Sequence, residues 1–535
     1  MSFSSSSVSS LRDHSLSSSD DGITVKQRNI NGCCAPAGNK VKLLLVCSVL
    51  STATNFAEGY CNSYPNTSIQ TFQDQINETY IERGKEGGLS EGGFTWYWSL
   101  MLNIWFVGYL VGTFLTPCFC DRLGRKKALF IANCIALAGA ILSCIGVSFK
   151  IPEVFFVSRI ITSLSSGISF GSLILFLQET TPTDLRGVTS FLAESTFIMT
   201  MGIGIGFGMD AILGTNLPVL TGIAIIPAFI AIITVIPLHE TPKFLLISKN
   251  DRAAALASLD YYRGISTENL EVLEEIMLEK AVVGEDDETT IWQGVKEVLT
   301  LPHLRIAFFL GAAALQLIVG IWPIVYFSTD LLEDTFSPEI SQYASLAFIM
   351  ADFAASIAGL FIIEKFGRRS LLIGLGAANT LSLCLYVASD LLIPVWDPIR
   401  WGQIAALILY GITYGIALGP IAYFITSELV PQRFRSIAQS MTLAFTTVMN
   451  FVFSSVTLPC NTYFGVISFL PLFVIPSIIC LIFLYFYLPE TRDREVHDVV
   501  RELMARHSKD GGKNDVLRRD SGTSIQLFDD MSTNK

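Results

Sequence analysis

Apolar runs of about 20 residues, separated by short polar stretches, recur twelve times between Val41 and Leu488. A run of that length crosses about 30 Å of hydrocarbon as an α-helix rising about 1.5 Å per residue. A helix is required, because a lone span must satisfy its backbone hydrogen bonds internally. The predicted spans are 41–63, 95–118, 127–148, 152–178, 188–213, 217–237, 304–328, 341–363, 369–390, 401–427, 433–458 and 464–488. One internal polar stretch is long, 238–303, and its segments Glu271–Lys280 and Trp292–Leu301 read either as short amphipathic helices or as plain linker. The expected organisation is a disordered tail 1–40, a six-helix bundle 41–237, the linker 238–303, a second six-helix bundle 304–488 and a tail 489–535.

Composition supports lipid as the solvent: 51% of the residues are hydrophobic and 16% charged, against about a quarter charged in soluble chains. The net charge of −11 sits mainly in tails and loops, so it points to no basic partner, and nucleic-acid binding is not expected. The eleven cysteines lie mostly in or beside apolar spans, without disulfide or zinc spacing. The serine-rich first forty residues hold no apolar region, so no cleaved signal peptide is expected. Cys33-Cys34, just before the first span, is a candidate for acylation.

Lysines and arginines of short loops set orientation. Arg122, Arg125, Lys126 and Lys127 follow the second span, and Lys365, Arg368 and Arg369 follow the eighth. Both loops, both termini and the long linker are therefore expected on the cytoplasmic side. The loop after the first span is then external, and it carries the acceptor patterns Asn66-Thr67-Ser68 and Asn77-Glu78-Thr79, two candidate N-glycosylation sites.

The two halves echo one another. Asp121–Lys126 (DRLGRK) recurs as Glu364–Arg369 (EKFGRR), Glu179 with Arg186 as Glu428 with Arg435, and Glu240-Thr241-Pro242 as Pro489-Glu490-Thr491, at offsets between 243 and 250 residues. Three ordered echoes at one spacing imply a duplicated six-helix unit in parallel orientation. With these motifs go Arg159 in the fourth span, QETTPTDLRG at 178–187, HETPKFLL at 239–246, QLIVGIWPIVYFS at 316–328, GPIAYFITSELVP at 419–431 and LPETRDRE at 488–495. Together they resemble the sugar porter family of the major facilitator superfamily, and within it the facilitative glucose and fructose transporters of animals, over about Lys42 to Arg494. The resemblance implies an all-α membrane protein with twelve transmembrane helices in two six-helix repeats, carrying a small solute, a hexose or polyol-like sugar first, by alternating access.

Guanidinium and carboxylate groups at one end of adjacent helices can form partly buried, bidentate pairs that hold bundles together on that side. On this ground, and as the resemblance also implies, Arg125, Glu179, Arg186, Arg368, Glu428 and Arg435 are expected to form an inner gate; topology control by positive charge alone is the other reading. Gly419-Pro420 marks either a mid-membrane hinge or a static kink. Gly202, Gly204, Gly206 and Gly208 alternate inside an apolar span with no strand before them, which suits close helix packing better than a nucleotide loop.

A sugar needs planar amides, hydroxyl partners and an aromatic face among apolar walls. Carried over from the family, Gln316 and Asn450 keep an expected glutamine and asparagine, Trp322 and Tyr423 replace an asparagine and a tryptophan, and Thr446-Thr447 replaces an Asn-Trp pair. Leu317 stands for a second glutamine and Ala422 for a proline; Tyr326 completes the candidate pocket. Asp352 and Glu194 fall at positions where the family offers asparagine and glutamine, and Glu58 precedes Gly59-Tyr60 in the first span. An ionised carboxylate at mid-membrane costs at least about 2.5 kcal/mol, so these acids need an account. They bind a cationic solute, carry a proton coupled to transport, or stay neutral and hydrogen-bond neighbouring helices. Cys61 occupies the place where proton symporters of the family put aspartate, which favours facilitated diffusion. The functions in contention are a facilitative hexose or polyol carrier, an organic-cation or proton-coupled carrier, and a non-transporting nutrient sensor. No nucleophile with a base, metal cluster or phosphate loop is present in the sequence, so neither an enzyme nor a cofactor or metal site is expected. The expected setting is the plasma membrane.

Overall fold

The computed structural model describes residues 37–84, 88–264, 268–283, 291–363, 365–492, 494 and 499–503. Most of both predicted tails, Cys33-Cys34 included, lies outside the described residues.

All regular structure among the described residues is helical. In the first repeat α1 is Ala37–Thr67, α2 Ile69–Glu82, α3 Glu91–Leu123, α4 Arg125–Ser148, α5 Pro152–Thr180, α6 Thr183–Phe207, α7 Leu217–Gly222 and α8 Ile225–Val235. The linker region supplies α9 Pro242–Ile247, α10 Arg252–Arg263, α11 Glu268–Val283 and α12 Ile291–Thr300. In the second repeat α13 is Pro302–Gln316, α14 Ile321–Glu333, α15 Pro338–Ile363, α16 Arg368–Leu392, α17 Trp401–Thr413, α18 Gly419–Leu429, α19 Gln432–Phe464 and α20 Ile475–Tyr487. Among the described residues eleven spans are long and apolar enough to cross a bilayer, some of them joining two elements, and the described part of α6, Leu192–Phe207, is a shorter apolar helix at the fifth predicted span. Their outward faces carry bare apolar side chains such as Phe114, Ile226 and Phe486, a surface that suits lipid and not water.

Several spans are not continuous helices. The sixth is split into α7 and α8, and the seventh breaks between α13 and α14, where Leu317, Ile318 and Ile321 take i−3 backbone bonds to Ala314, Leu315 and Ile318. The tenth passes through a π turn at Tyr414–Leu418 immediately before Gly419-Pro420. Proline has no N–H to donate, so the wider turn absorbs the register the ring disrupts. The predicted external loop after the first span contains α2, whose buried Ile69, Phe72 and Ile76 seat it on the bundle. Salt bridges Arg83–Glu153 at 2.5 Å and Lys150–Glu78 at 2.7 Å tie it to the α4–α5 connection. In the linker α11 and α12 fall on the two predicted helical segments, and α9 and α10 are additional.

Small residues let the spans approach. A Cβ on Gly204 or Gly208 would overlap Ser63 or Thr67 of α1, whereas Gly202 and Gly206 face Met350 and Leu346 of α15. The alternating glycines thus serve close packing on two sides of α6. Within each repeat α1 packs on α6 and α3 and α4 on α5, then α15 and α16 on α17 and α13 on α18 and α19. The repeats meet through α1 with α14, α3 with α19 and α6 with α15.

Candidate functional site

At the end bearing the basic loops, α4 begins directly after α3, with Gly124 alone at the join in a left-handed conformation, φ +102°. Arg125 Nη2 reaches Glu179 Oε1 of α5 at 3.1 Å, and the two side chains are 13% and 9% exposed. Thr241 Oγ1 donates to Glu179 Oε2 at 2.6 Å. Glu240 Oε1 accepts from the Lys126 and Thr241 amides at 2.9 and 3.0 Å, which places a carboxylate on the open N-terminus of α4. The second repeat copies this: Thr491 Oγ1 donates to Glu428 Oε2 at 2.5 Å, and Glu490 Oε1 accepts from the Arg369 and Thr491 amides at 3.4 and 3.1 Å.

The copy is incomplete. Among the described residues Arg368 and Glu428 form no ion pair within 4 Å, and Arg435 is exposed without one. The expected six-residue gate is therefore, in this state and among the described residues, one ion pair at Arg125–Glu179 and two threonine–glutamate bonds, each tying a repeat to the segment that follows it; the Arg186 side chain lies outside the described residues.

The opposite end is sealed by bonds between repeats. Asn66 Nδ2 donates to Ser328 Oγ at 2.8 Å and Thr329 N donates to Asn66 Oδ1 at 3.0 Å. Gln342 Nε2 donates to the Thr67 carbonyl and to Asp210 Oδ2, both at 3.0 Å, and Ser99 Oγ donates to the Ser455 carbonyl at 2.7 Å. Asn66, 1% exposed and inside α1, is thus a seam residue. The expectation of a glycan there is corrected: the amide nitrogen a glycan would occupy is buried and already bonded. Asn77 in α2 is only half-buried.

Between the two ends lies the candidate pocket. Trp322 of α14 packs across the seam against Phe106 of α3 at 5.4 Å and Phe197 of α6 at 6.3 Å between ring centroids, and against Tyr326 at 5.9 Å. Tyr326 is fully buried and donates to Asn62 Oδ1 at 3.2 Å. The same Asn62 oxygen accepts from Arg159 Nη2 at 3.2 Å. Arg159 also donates to the Cys61 and Leu102 carbonyls at 2.6 and 3.1 Å and lies over Trp105. Its charge is therefore held by carbonyl dipoles and a ring face.

Glu194 is the electrostatic neighbour shared by Glu58 and Asp352. Tyr109 is within electrostatic reach of Glu58, Glu194 and Tyr423, and Tyr414 of Tyr423, Glu194 and Asp352. Three acids and three phenols from both repeats thus share one region. Asp352 is 2% exposed with Oδ1 unbonded among the described residues, and it lies against Gly415 in the π turn. Gln316 ends α13 at the helix break with its side chain half-buried. Asn450 is 6% exposed, its Oδ1 unbonded among the described residues, one turn beyond Thr446 on α19. The Thr446 hydroxyl donates to the Thr442 carbonyl at 3.0 Å, as Thr447 does to Leu443, which leaves each oxygen able to accept but spends its proton within the helix. Phe106, Phe197, Tyr109 and Tyr414 were not among the residues read from the sequence. For Phe106, Tyr109 and Tyr414 the signal is an aromatic pair at about one-turn spacing, Phe106/Tyr109 and Tyr410/Tyr414, and Phe197 carries none.

Two six-helix repeats, interrupted helices at the middle of the seam, one end sealed and duplicated charged motifs at the other define a transporter of the major facilitator fold. A model of the family described as "Sugar (and other) transporter" matches residues 44–503, and the chain belongs to that family. The facilitated glucose transporter member 1 of solute carrier family 2 from Gallus gallus is 28% identical over 454 residues, covering 82% of this chain and 89% of that protein. Member 3 from Homo sapiens is 27% identical over 483 residues, covering 89% and 96%. Among solved structures, the inward open conformation of the xylose transporter XylE from E. coli superposes with a TM-score of 0.67 at 16% identity, over 86% of this chain and 99% of that one.

Proposed function

We propose that this chain is a facilitative carrier of a hexose or polyol-like solute, working by alternating access in a lipid bilayer. The observation that carries this reading is the break between α13 and α14, which sets Gln316 and Trp322 at either side of an irregular backbone segment on the seam between repeats. With one end of the seam closed by breakable polar bonds between the repeats and no such bond among the described gate residues at the other, the repeats can rock about that midpoint. The basic loops are read as cytoplasmic, which puts both termini inside, the Asn66–Ser328 seam outside, and Asn77 as the acceptor for a glycan at the plasma membrane.

Uptake of labelled deoxyglucose into liposomes containing the purified chain tests the reading. Saturable uptake with exchange against unlabelled hexose, and no accumulation above equilibrium on a pH step, is the expected result. Accumulation driven by the pH step and abolished in Asp352→Asn overturns the facilitator reading.

The cluster of Glu58, Glu194 and Asp352 among phenols favours a second reading, a carrier for amine-bearing solutes. A panel of small cations that competes with deoxyglucose, and loses that competition in Glu194→Gln, would select it. Failure of every solute to cross, with hexose still raising the melting temperature, would leave a non-transporting sensor.

A further inference from the structure

An open cavity of about 700 Å³ lies at the basic-loop end of the first repeat, away from the seam. Its lining includes Lys126 and Lys127 from the first turn of α4, Glu240, Lys249 just past α9, and the apolar Leu123 and Ile236. Three ammonium groups therefore face one carboxylate, in a chain whose net charge is −11. That carboxylate is already committed, since Glu240 Oε1 accepts from the Lys126 and Thr241 amides. Lys126 spends one of its three protons on the Ile236 carbonyl at 2.9 Å, Lys249 lies over the Phe244 ring at 5.7 Å, and Lys127 is exposed. The N-terminal dipole of α4 adds to the positive potential.

The cavity is amphiphilic. Ile236 and Leu123 on its wall are 58% and 39% exposed. From Ile236 a continuous stripe of bare side chains, Ile233, Ile230, Phe229 and Ile226, runs up the outer face of α8 at helical spacing. A soluble anion has no use for that stripe, whereas a phospholipid matches both parts, its headgroup among the lysines and its acyl chain along α8.

We propose that this cavity is a binding site for an anionic phospholipid headgroup in the leaflet on the basic-loop side. The site shares a wall with the inner gate, because the Lys126 amide and Glu240 connect it to Thr241 and so to Glu179. A bound headgroup draws the lysines together over the α4 N-terminus and stiffens that half of the gate.

The test uses the full-length chain in nanodiscs of phosphatidylcholine with and without phosphatidylserine, read by thermal unfolding and by lipid retained in native mass spectrometry. Phosphatidylserine raises the melting temperature and is retained by the natural chain. In Lys127→Gln/Lys249→Gln its apparent affinity falls about thirtyfold, at the usual contribution of a basic side chain near an anionic surface. Uptake by the double variant in pure phosphatidylcholine stays unchanged, which separates loss of the site from loss of fold. Equal retention by the double variant overturns the proposal. So does equal stabilisation by glycerophosphoserine, which has the headgroup without chains and would mark a soluble-anion site.

Discussion

Asn66 donates to Ser328 Oγ at 2.8 Å and accepts from Thr329 N at 3.0 Å, so one side chain of the first repeat holds two consecutive residues of the second. Both bonds are buried and exist only while this end is closed. Each is worth about 1 kcal/mol net, so Asn66→Ala is expected to shift the balance towards opening at this end by about 2 kcal/mol. Spin-label distances between Asp74 and Glu339, both exposed at this end, should lengthen. An unchanged distance distribution would remove Asn66 from the seam. Peptide mapping after deglycosylation is expected to show no glycan at position 66.

The two copies of the charged motif are predicted to differ in strength. Glu179 holds both Arg125 and Thr241, whereas Glu428 holds Thr491 with no ion pair among the described residues. Hydrogen bonds to charged groups contribute about 1.5–3 kcal/mol. Glu179→Gln should therefore lower the unfolding free energy in detergent by about 2 kcal/mol, with Glu428→Gln costing less. Equal losses would mean that the Arg125 pair adds nothing in this state.

A Cβ at Gly124 or Gly367 would overlap the carboxylate of Glu240 or Glu490. The backbone at Gly124 is left-handed at φ +102°, whereas Gly367 has φ −67°, open to any residue. Gly367→Ala then displaces only the capping carboxylate, a loss of about 1 kcal/mol. Gly124→Ala adds backbone strain of about 1–3 kcal/mol. Thermal melts of both variants should show the larger drop at position 124.

The number of spans, their duplication and the charged motifs were legible in the sequence because each is local: a run of apolar residues or a short string at a fixed offset. The breaks at Leu317–Gly320 and Tyr414–Leu418 were only partly so, since Gly419-Pro420 marks one and a lone Gly320, a weaker signal, marks the other. Asn66 was misread for a different reason. Its Asn-Thr-Ser pattern is local, but its burial follows from α1 continuing to Thr67 and from Ser328, 262 residues away. The Thr446 hydroxyl likewise looked free to donate until the helix offered it the Thr442 carbonyl, which leaves it an acceptor only. Tyr109 and Tyr414 enter the central cluster only through how α3 and the π turn are set against the acids of α6 and α15, which no spacing encodes.

Trp322 offers the sharpest separation between a pocket wall and a gate. Its indole meets Phe106 and Phe197 across the seam and Tyr326 within its own repeat. Aromatic pairs contribute about 0.5–1.5 kcal/mol beyond the area they bury, and the two cross-seam pairs are expected to part when the repeats separate at the Asn66 end. Trp322→Ala should therefore destabilise the closed arrangement by about 1–3 kcal/mol, a five- to 150-fold change in the balance between states. A side chain acting only as pocket wall would change KM and leave that balance alone. The expected result is a longer Asp74–Glu339 distance together with a changed KM, and partial recovery of the distance, but not of KM, in Trp322→Phe. A changed KM at an unchanged distance would assign Trp322 to the pocket alone.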